Sequence, residues 1–357
     1  MSHPDHISQW HPRLGEKLGK QALATLPTPV RTVPCETLHG KRTIHIKCDD
    51  LTGDLYGGNK VRKLEYALWP ALGRGKKRVA TFGAVGSNHA LATALYARSI
   101  GLGCTCFLSH QRGSPEVAST LGAHLANETN IVRFGGAYAK RIATLRENLW
   151  NRDYWVIPAG GSSWLGTVGF VNAGLELAAQ IKNREIPEPD RIYIATGTMG
   201  SAVGLAIGLA MAGLRSRVEA IRVSMSSICN ESLLDHLLHK TVKMMNRLDD
   251  SISMELVSKS NIRLRHAFFA GGYAHQDAET ENALLFASEQ LGLDLDGTYT
   301  GKAMAALLAD SSESANEQVL FWNTYNSRPL PSSNEKQSLD SLPEEFRKYC
   351  DPHYKKY

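Results

Sequence analysis

Short apolar runs alternate with longer helical patterns almost to the end of the chain. The runs at 43–48 (TIHIKC), 78–82 (RVATF), 104–108 (CTCFL), 130–134, 154–158, 191–195, 217–223, 262–268 and 319–323 have strand length and are bounded by turn residues. The stretches at 63–73, 88–100, 114–126, 139–150, 167–182, 201–213, 230–246, 278–291 and 300–309 predict helices. Such alternation specifies an α/β chain, with open twisted parallel sheets covered by helices on both faces. Nine strands are too many for one core in 357 residues, so two sheet domains are expected.

Composition changes this picture little. Apolar residues are 43% and charged residues 21%, as in ordinary globular chains, and the formal net charge is +5. The densest basic run, RGKKR at 74–78, falls between a helix and a strand and reads as a solvated loop, so no nucleic-acid partner is expected. The N-terminus has no apolar h-region, and no apolar run reaches the roughly 18 residues of a membrane helix. Six scattered cysteines do not form a disulfide framework, and a reducing cytoplasm is the expected location. Cys104 and Cys106 share one face of a strand, but no second Cys/His pair stands nearby in sequence, so no metal is expected.

In parallel sheets, ligands bind beyond the carboxyl ends of strands, so residues that directly follow strands carry the information. One junction is TFGAVGSNHALATA, where Ser87, Asn88 and His89 follow two glycines at a helix start. Capping needs only one such residue, and the others are then free to face a ligand. A second is IYIATGTMGSAVGL, where Gly197, Thr198, Met199, Gly200 and Ser201 lead into a small-residue helix and read as a phosphate cup or as a plain turn. A third is DLDGTYTGKAMAALL, where Tyr299 and Thr300 precede a helix and read equally as a packed ring and an N-cap. The stretch GGNKVRKLEY (57–66) is different. It sets Lys60, Arg62 and Lys63 at a helix start, where the helix dipole repels cations, so something anionic is expected there. Pyridoxal 5′-phosphate (PLP) suits these parts: it needs a lysine amine, a phosphate cradle and a partner for its ring nitrogen. Gly57-Gly58 allow the Lys60 backbone a close approach, and Lys63 lies on the same helical face for the phosphate.

The chain resembles the D-cysteine desulfhydrase and 1-aminocyclopropane-1-carboxylate deaminase family of PLP enzymes, whose fold (fold type II) is like the tryptophan synthase β-subunit. The matching pieces are LPTPV, IHIKCDDLTG, GGNKVRKLEY, GSNHALATA, PAGGSSWLGTVGFVNAGLEL, ATGTMGSAVGL and YTGKAMAALL, in the family's order, over roughly residues 25 to 325. The resemblance implies that Lys60 forms the Schiff base and moves the substrate α-proton. It implies that Lys63 and the 197–201 loop hold the phosphate, and that Asn88 bonds the 3′-oxygen of the cofactor. Ser87 would hold the substrate carboxylate with Asn88 and His89 beside it, Tyr273 and Tyr299 would pack near ring and substrate, and Thr300 would face the pyridine nitrogen. It also implies a homodimer acting on a small amino acid, with PLP in the interdomain cleft. The expected division is a larger PLP domain, 1–61 with 167–331, an inserted smaller domain, 62–166, and a polar C-terminal tail, 332–357, that wraps the surface or is partly mobile.

Deaminase members place glutamate where Thr300 stands. A neutral threonine implies a weaker electron sink, which favours β-elimination of a thiol over opening a cyclopropane. The expected activity is therefore that of a D-cysteine desulfhydrase, with the deaminase and a catalytically degenerate PLP-binding protein as alternatives. Four departures from the family's pattern bear on substrate choice: Cys48 in KCDD, Ala90-Leu91 after SNH, GGYAHQDAE at 271–279 and FWNTYNSRP at 321–329.

Overall fold

The computed structural model describes residues 5–37, 40–135, 153–311, 316–331 and 339–354. Among these, ten strands lie in two sheets. The strands β1 Val30–Thr37, β2 Gly40–Cys48, β7 Arg191–Thr196, β8 Arg217–Arg222, β9 Ile262–Arg265 and β10 Val319–Asn323 form a six-stranded sheet in the order β1-β2-β10-β7-β8-β9. The strands β3 Arg78–Ala84, β4 Gly103–Ser109, β5 Asn130–Arg133 and β6 Tyr154–Ile157 form a four-stranded sheet in the order β5-β4-β3-β6. One sheet is thus built from both ends of the chain and the other from its middle, and the chain is α/β as expected.

The described strand pairs are all parallel except β1 with β2. The antiparallel edge strand β1 was not expected from sequence. Pro34 interrupts its run, and Pro is tolerated in a sheet where an edge leaves its missing N–H unneeded. The central strands read as continuous apolar runs because both their faces are covered: β10 is buried at all five positions.

Two helices set the relation between the sheets. Lys60–Gly73 buries Val61, Leu64 and Leu68 against Val79 and Leu95 of the four-stranded unit. Its Tyr66 packs instead with Val168 and Val203, on helices Trp164–Lys182 and Gly200–Met211 beside the six-stranded sheet. The helix that begins at Lys60 therefore belongs to both halves. The expected helix at 139–150 lies outside the described residues. The helix expected at 278–291 is α-helical over Ala278–Phe286 and ends in a wider turn over Ala287–Leu291.

The C-terminal segment corrects the expectation of a separate polar tail. Leu342, Phe346 and Tyr349 are buried with Val85, Ala90, Leu108, Val117 and Leu121 in the core of the four-stranded unit. Among the described residues no helix is long and apolar enough to cross a membrane.

Candidate active site

The carboxyl ends of β3, β4, β5 and β7, and the segments that follow β8 and β10, line one cleft of about 1050 Å³. A volume of that order suits a cofactor together with a small substrate. Lys60, Lys63, Ser87, Asn88, His89, Gly197, Thr198, Met199, Gly200, Ser201, Tyr273 and Tyr299 all line it. Residues spread over more than 200 positions are brought together.

Lys60 is the first residue of its helix, and its amine donates to Asn59 Oδ1 at 3.0 Å. Burial lowers its pKa to about 8, with Asp296 opposing. The chain reaches this position through Gly58, whose φ of +87° favours glycine and whose added Cβ would lie 2.8 Å from the Thr324 carbonyl. That carbonyl accepts from the Asn59 N–H at 3.2 Å, and Asn326 Oδ1 accepts from the Gly57 N–H. The NTYNS segment, a departure from the family's pattern, is thus docked on the lysine hinge.

Lys63 is 2% exposed, and its amine donates to the Gly160 carbonyl at 2.8 Å and Ser162 Oγ at 3.1 Å. Burial, and then the neighbouring Lys60, push its pKa well below the usual lysine range. These partners bring no negative charge to the buried amine, so an anion placed there would favour its protonated form and be held by it. The cradle is built for one. Met199 takes a left-handed φ of +63°, Gly200 starts the following helix, and a Cβ on Gly200 would meet Lys63 Nζ at 2.8 Å. Ser162 Oγ bonds Thr198 Oγ1 at 2.7 Å and accepts from the Gly200 N–H at 3.3 Å. A helix N-terminus, hydroxyls and a buried lysine fit the phosphate of PLP.

Arg62, the third cation at the helix start, has a different explanation. Arg62 is buried and pairs with Asp49 through Nε (2.9 Å) and Nη2 (2.8 Å), and with Glu176 through Nη1 and Nη2 (both 2.9 Å). Lys47 donates to Glu176 Oε1 at 2.6 Å, and Trp322 Nε1 donates to Asp49 Oδ2 at 2.7 Å. Burial alone would push Glu176 up, but Arg62 and Lys47 hold it well below the usual carboxylate range. Asp49 also accepts the Gly58 N–H on its carbonyl, so the network ends on the Lys60 hinge. Sequence reasoning missed this group because its members lie far apart along the chain and share no periodicity.

On the other wall, Ser87 caps the helix Asn88–Ser99 by accepting from the Ala90 N–H at 3.2 Å, and Asn88 Oδ1 accepts from the Tyr56 hydroxyl at 3.1 Å. Tyr273 and Tyr299 meet hydroxyl to hydroxyl at 2.9 Å with their rings edge to face, and Lys60 Nζ lies 6.0 Å from the Tyr299 ring centre. His89 is the less direct substrate candidate. It is 3% exposed, its Nε2 bonds Thr81 Oγ1 at 2.8 Å, and burial with Lys60 and Lys63 beside it keeps the ring neutral.

Thr300 requires a correction. It is fully buried and does not line the cleft. Its hydroxyl donates to Asp296 Oδ1 at 2.6 Å, and the same carboxylate accepts the N–H groups of Thr298, Tyr299 and Thr300. The threonine is drawn inward by this cap, and Asp296, not Thr300, faces the cleft. Burial raises the Asp296 pKa while its bond from Thr300 lowers it. The Asp-x-x-x-Thr spacing in DGTYT is a turn-and-cap signal that could have revealed the pairing. Tyr56, Asp296 and Tyr325 are among the cleft residues missed from sequence, as are His110, Gln111 and Arg133.

This fold and cleft define a PLP enzyme of fold type II. The chain belongs to the family described as "Pyridoxal-phosphate dependent enzyme", which it matches over residues 22–324. It is 35% identical over 290 residues to a D-cysteine desulfhydrase of Klebsiella pneumoniae (strain 342), covering 79% of this chain and 85% of that one. It is also 35% identical over 297 residues to a D-cysteine desulfhydrase of Salmonella paratyphi A, covering 80% and 87%. Among solved structures it is similar to an ACC deaminase homologue, with a TM-score of 0.71, 26% identity and coverage of 91% and 95%. A fungal L-serine ammonia-lyase from Rhizomucor miehei shares the fold, with a TM-score of 0.57, 17% identity and coverage of 92% and 99%.

Proposed function

We propose that this chain is a carbon–sulfur lyase that converts D-cysteine and water to pyruvate, sulfide and ammonia. The observation that carries the reading is the pair of buried lysines on one helical turn. Lys60 offers an amine of lowered pKa, and Lys63 faces a phosphate cradle. PLP bound here supplies the electron sink that makes a substrate α-proton removable. Lys60 Nζ holds the cofactor and then takes that proton. Lys63, Gly197, Thr198, Gly200 and Ser201 hold the phosphate. Ser87 and Asn88 present hydroxyl, amide and helix N-terminus to the substrate carboxylate, and the Tyr273–Tyr299 pair covers the opposite face.

The choice of D-cysteine rests on the two desulfhydrases at 35% identity. A neutral Thr300 does not support it, because that hydroxyl is committed to Asp296. The likeness to an ACC deaminase homologue keeps aminocyclopropane carboxylate as the second candidate. The homodimer given by the resemblance, the cytoplasmic location expected from the scattered cysteines, and the division into 1–61 with 167–331 and 62–166 belong to the same proposal, and light scattering on the holoenzyme decides the first of these.

The test is a screen of pure holoenzyme with D-cysteine, L-cysteine, β-chloro-D-alanine, cysteate and aminocyclopropane carboxylate. Pyruvate and sulfide from D-cysteine, with little from L-cysteine, are expected. Release of 2-oxobutyrate from aminocyclopropane carboxylate, without pyruvate from D-cysteine, would overturn the reading in favour of the deaminase.

A further inference from the structure

The C-terminal segment 339–354 lies beyond the family match, which ends at 324, yet it reaches the wall of the cleft. Tyr349 is fully buried, and its hydroxyl lies 3.2 Å from His110 Nδ1. The two rings are 5.6 Å apart, and the Arg133 guanidinium sits 5.4 Å from the Tyr349 ring centre. Tyr354 packs edge-on against Tyr349 at 5.2 Å, and its carbonyl accepts the Gly113 N–H at 3.1 Å. The segment therefore grips both ends of the stretch His110–Gly113.

That stretch carries the turn that presents Ser87. Gln111 Oε1 accepts the Gly86 N–H at 3.2 Å, Ser109 Oγ donates to the Gly83 carbonyl at 3.3 Å, and the Ser109 carbonyl accepts the Val85 N–H at 3.1 Å. His110, Gln111 and Arg133 themselves line the cleft. The phosphate cradle is held by different contacts, from Lys63 and Ser162, and Tyr349 makes none of them.

We propose that Tyr349 is a positioning residue for the substrate side of the cleft, acting through His110 and Gln111 on the Ser87 turn. This rests on the reading that the Ser87 wall takes an amino-acid substrate. Loosening the wall should weaken substrate binding without weakening cofactor binding.

The experiment compares holoenzyme of wild type, Tyr349→Ala and Tyr349→Phe by amide hydrogen exchange, PLP affinity and steady-state kinetics with D-cysteine. For Tyr349→Ala, exchange at 83–87 and 109–113 should quicken about tenfold while 197–205 stays unchanged, as expected of a local opening. KM should rise about tenfold with kcat within about twofold, since binding common to the ground and transition states is lost. Tyr349→Phe keeps the ring and remains folded, and its KM should rise about two- to threefold through loss of the hydroxyl alone. PLP affinity should hold in both. Uniform exchange acceleration, a Ser87 turn that exchanges as in wild type, or a fall in PLP affinity would overturn the inference. If wild type itself leaves D-cysteine untouched, the substrate reading fails, and the exchange pattern still decides the role of Tyr349.

Discussion

At the scale of residues, the Lys60 amine is the group proposed to carry the chemistry. Its lowered pKa, about 8 against an ordinary 10.5, comes from burial, only partly offset by Asp296. A folded pKa below the unfolded one means that the folded protein resists protonation. In the apoprotein, its stability contribution therefore rises with pH between about 8 and 10.5, and the penalty is full below about 8. The free amine is also what attacks the PLP aldehyde. Mixing apoprotein with PLP over a range of pH should show an attachment rate that levels off with a midpoint near 8. A rate still climbing in proportion to hydroxide at pH about 10 would mean that Lys60 titrates like a solvated lysine. The glycine pair before Asn-Lys made this residue legible in sequence. Asp296 was not, because a carboxylate inside a turn looks like any other cap until its exposure is known.

At the scale of elements, the Lys60 helix is fixed by the buried Lys47–Glu176–Arg62–Asp49 group, which ties β2 and the helices Lys60–Gly73 and Trp164–Lys182 to β10 through Trp322. Glu176→Gln keeps the shape of the side chain and removes its charge, leaving Lys47 and part of Arg62 uncompensated. Breaking a buried pair in this way typically costs about 3–5 kcal/mol. Urea unfolding should show a loss of that order, and a loss under about 1 kcal/mol would mean that the group contributes little beyond packing. The helices were legible because each repeats a period locally, and the parallel strands because each is a short apolar run bounded by turn residues. What was hidden depends on partners elsewhere: β1, masked by Pro34; the five- and six-residue helices His6–Trp10 and Pro12–Lys17, too short for a periodic signal; and the C-terminal segment. In that segment Leu342, Phe346 and Tyr349 do recur at helical spacing, a signal outweighed by its charged surroundings.

At the scale of the whole molecule, two sheets turn the carboxyl ends of their strands toward one cleft, and the Lys60 helix crosses from one core to the other. The central claim is that this cleft holds PLP on Lys60. Lys302 is an informative competitor, because its pKa is also lowered to about 8, chiefly by burial. Its amine, however, is held by the carbonyls of Phe269 (2.7 Å) and Gly272 (3.0 Å) and does not line the cleft. Lys63 lines the cleft but is engaged at the phosphate cradle. The most direct measurement is borohydride reduction of the yellow holoenzyme followed by peptide fragmentation mass spectrometry. A single pyridoxyl group is expected on Lys60 and none at that position in Lys60→Ala. A label on Lys63 or Lys302, or no label on protein saturated with PLP, would contradict it.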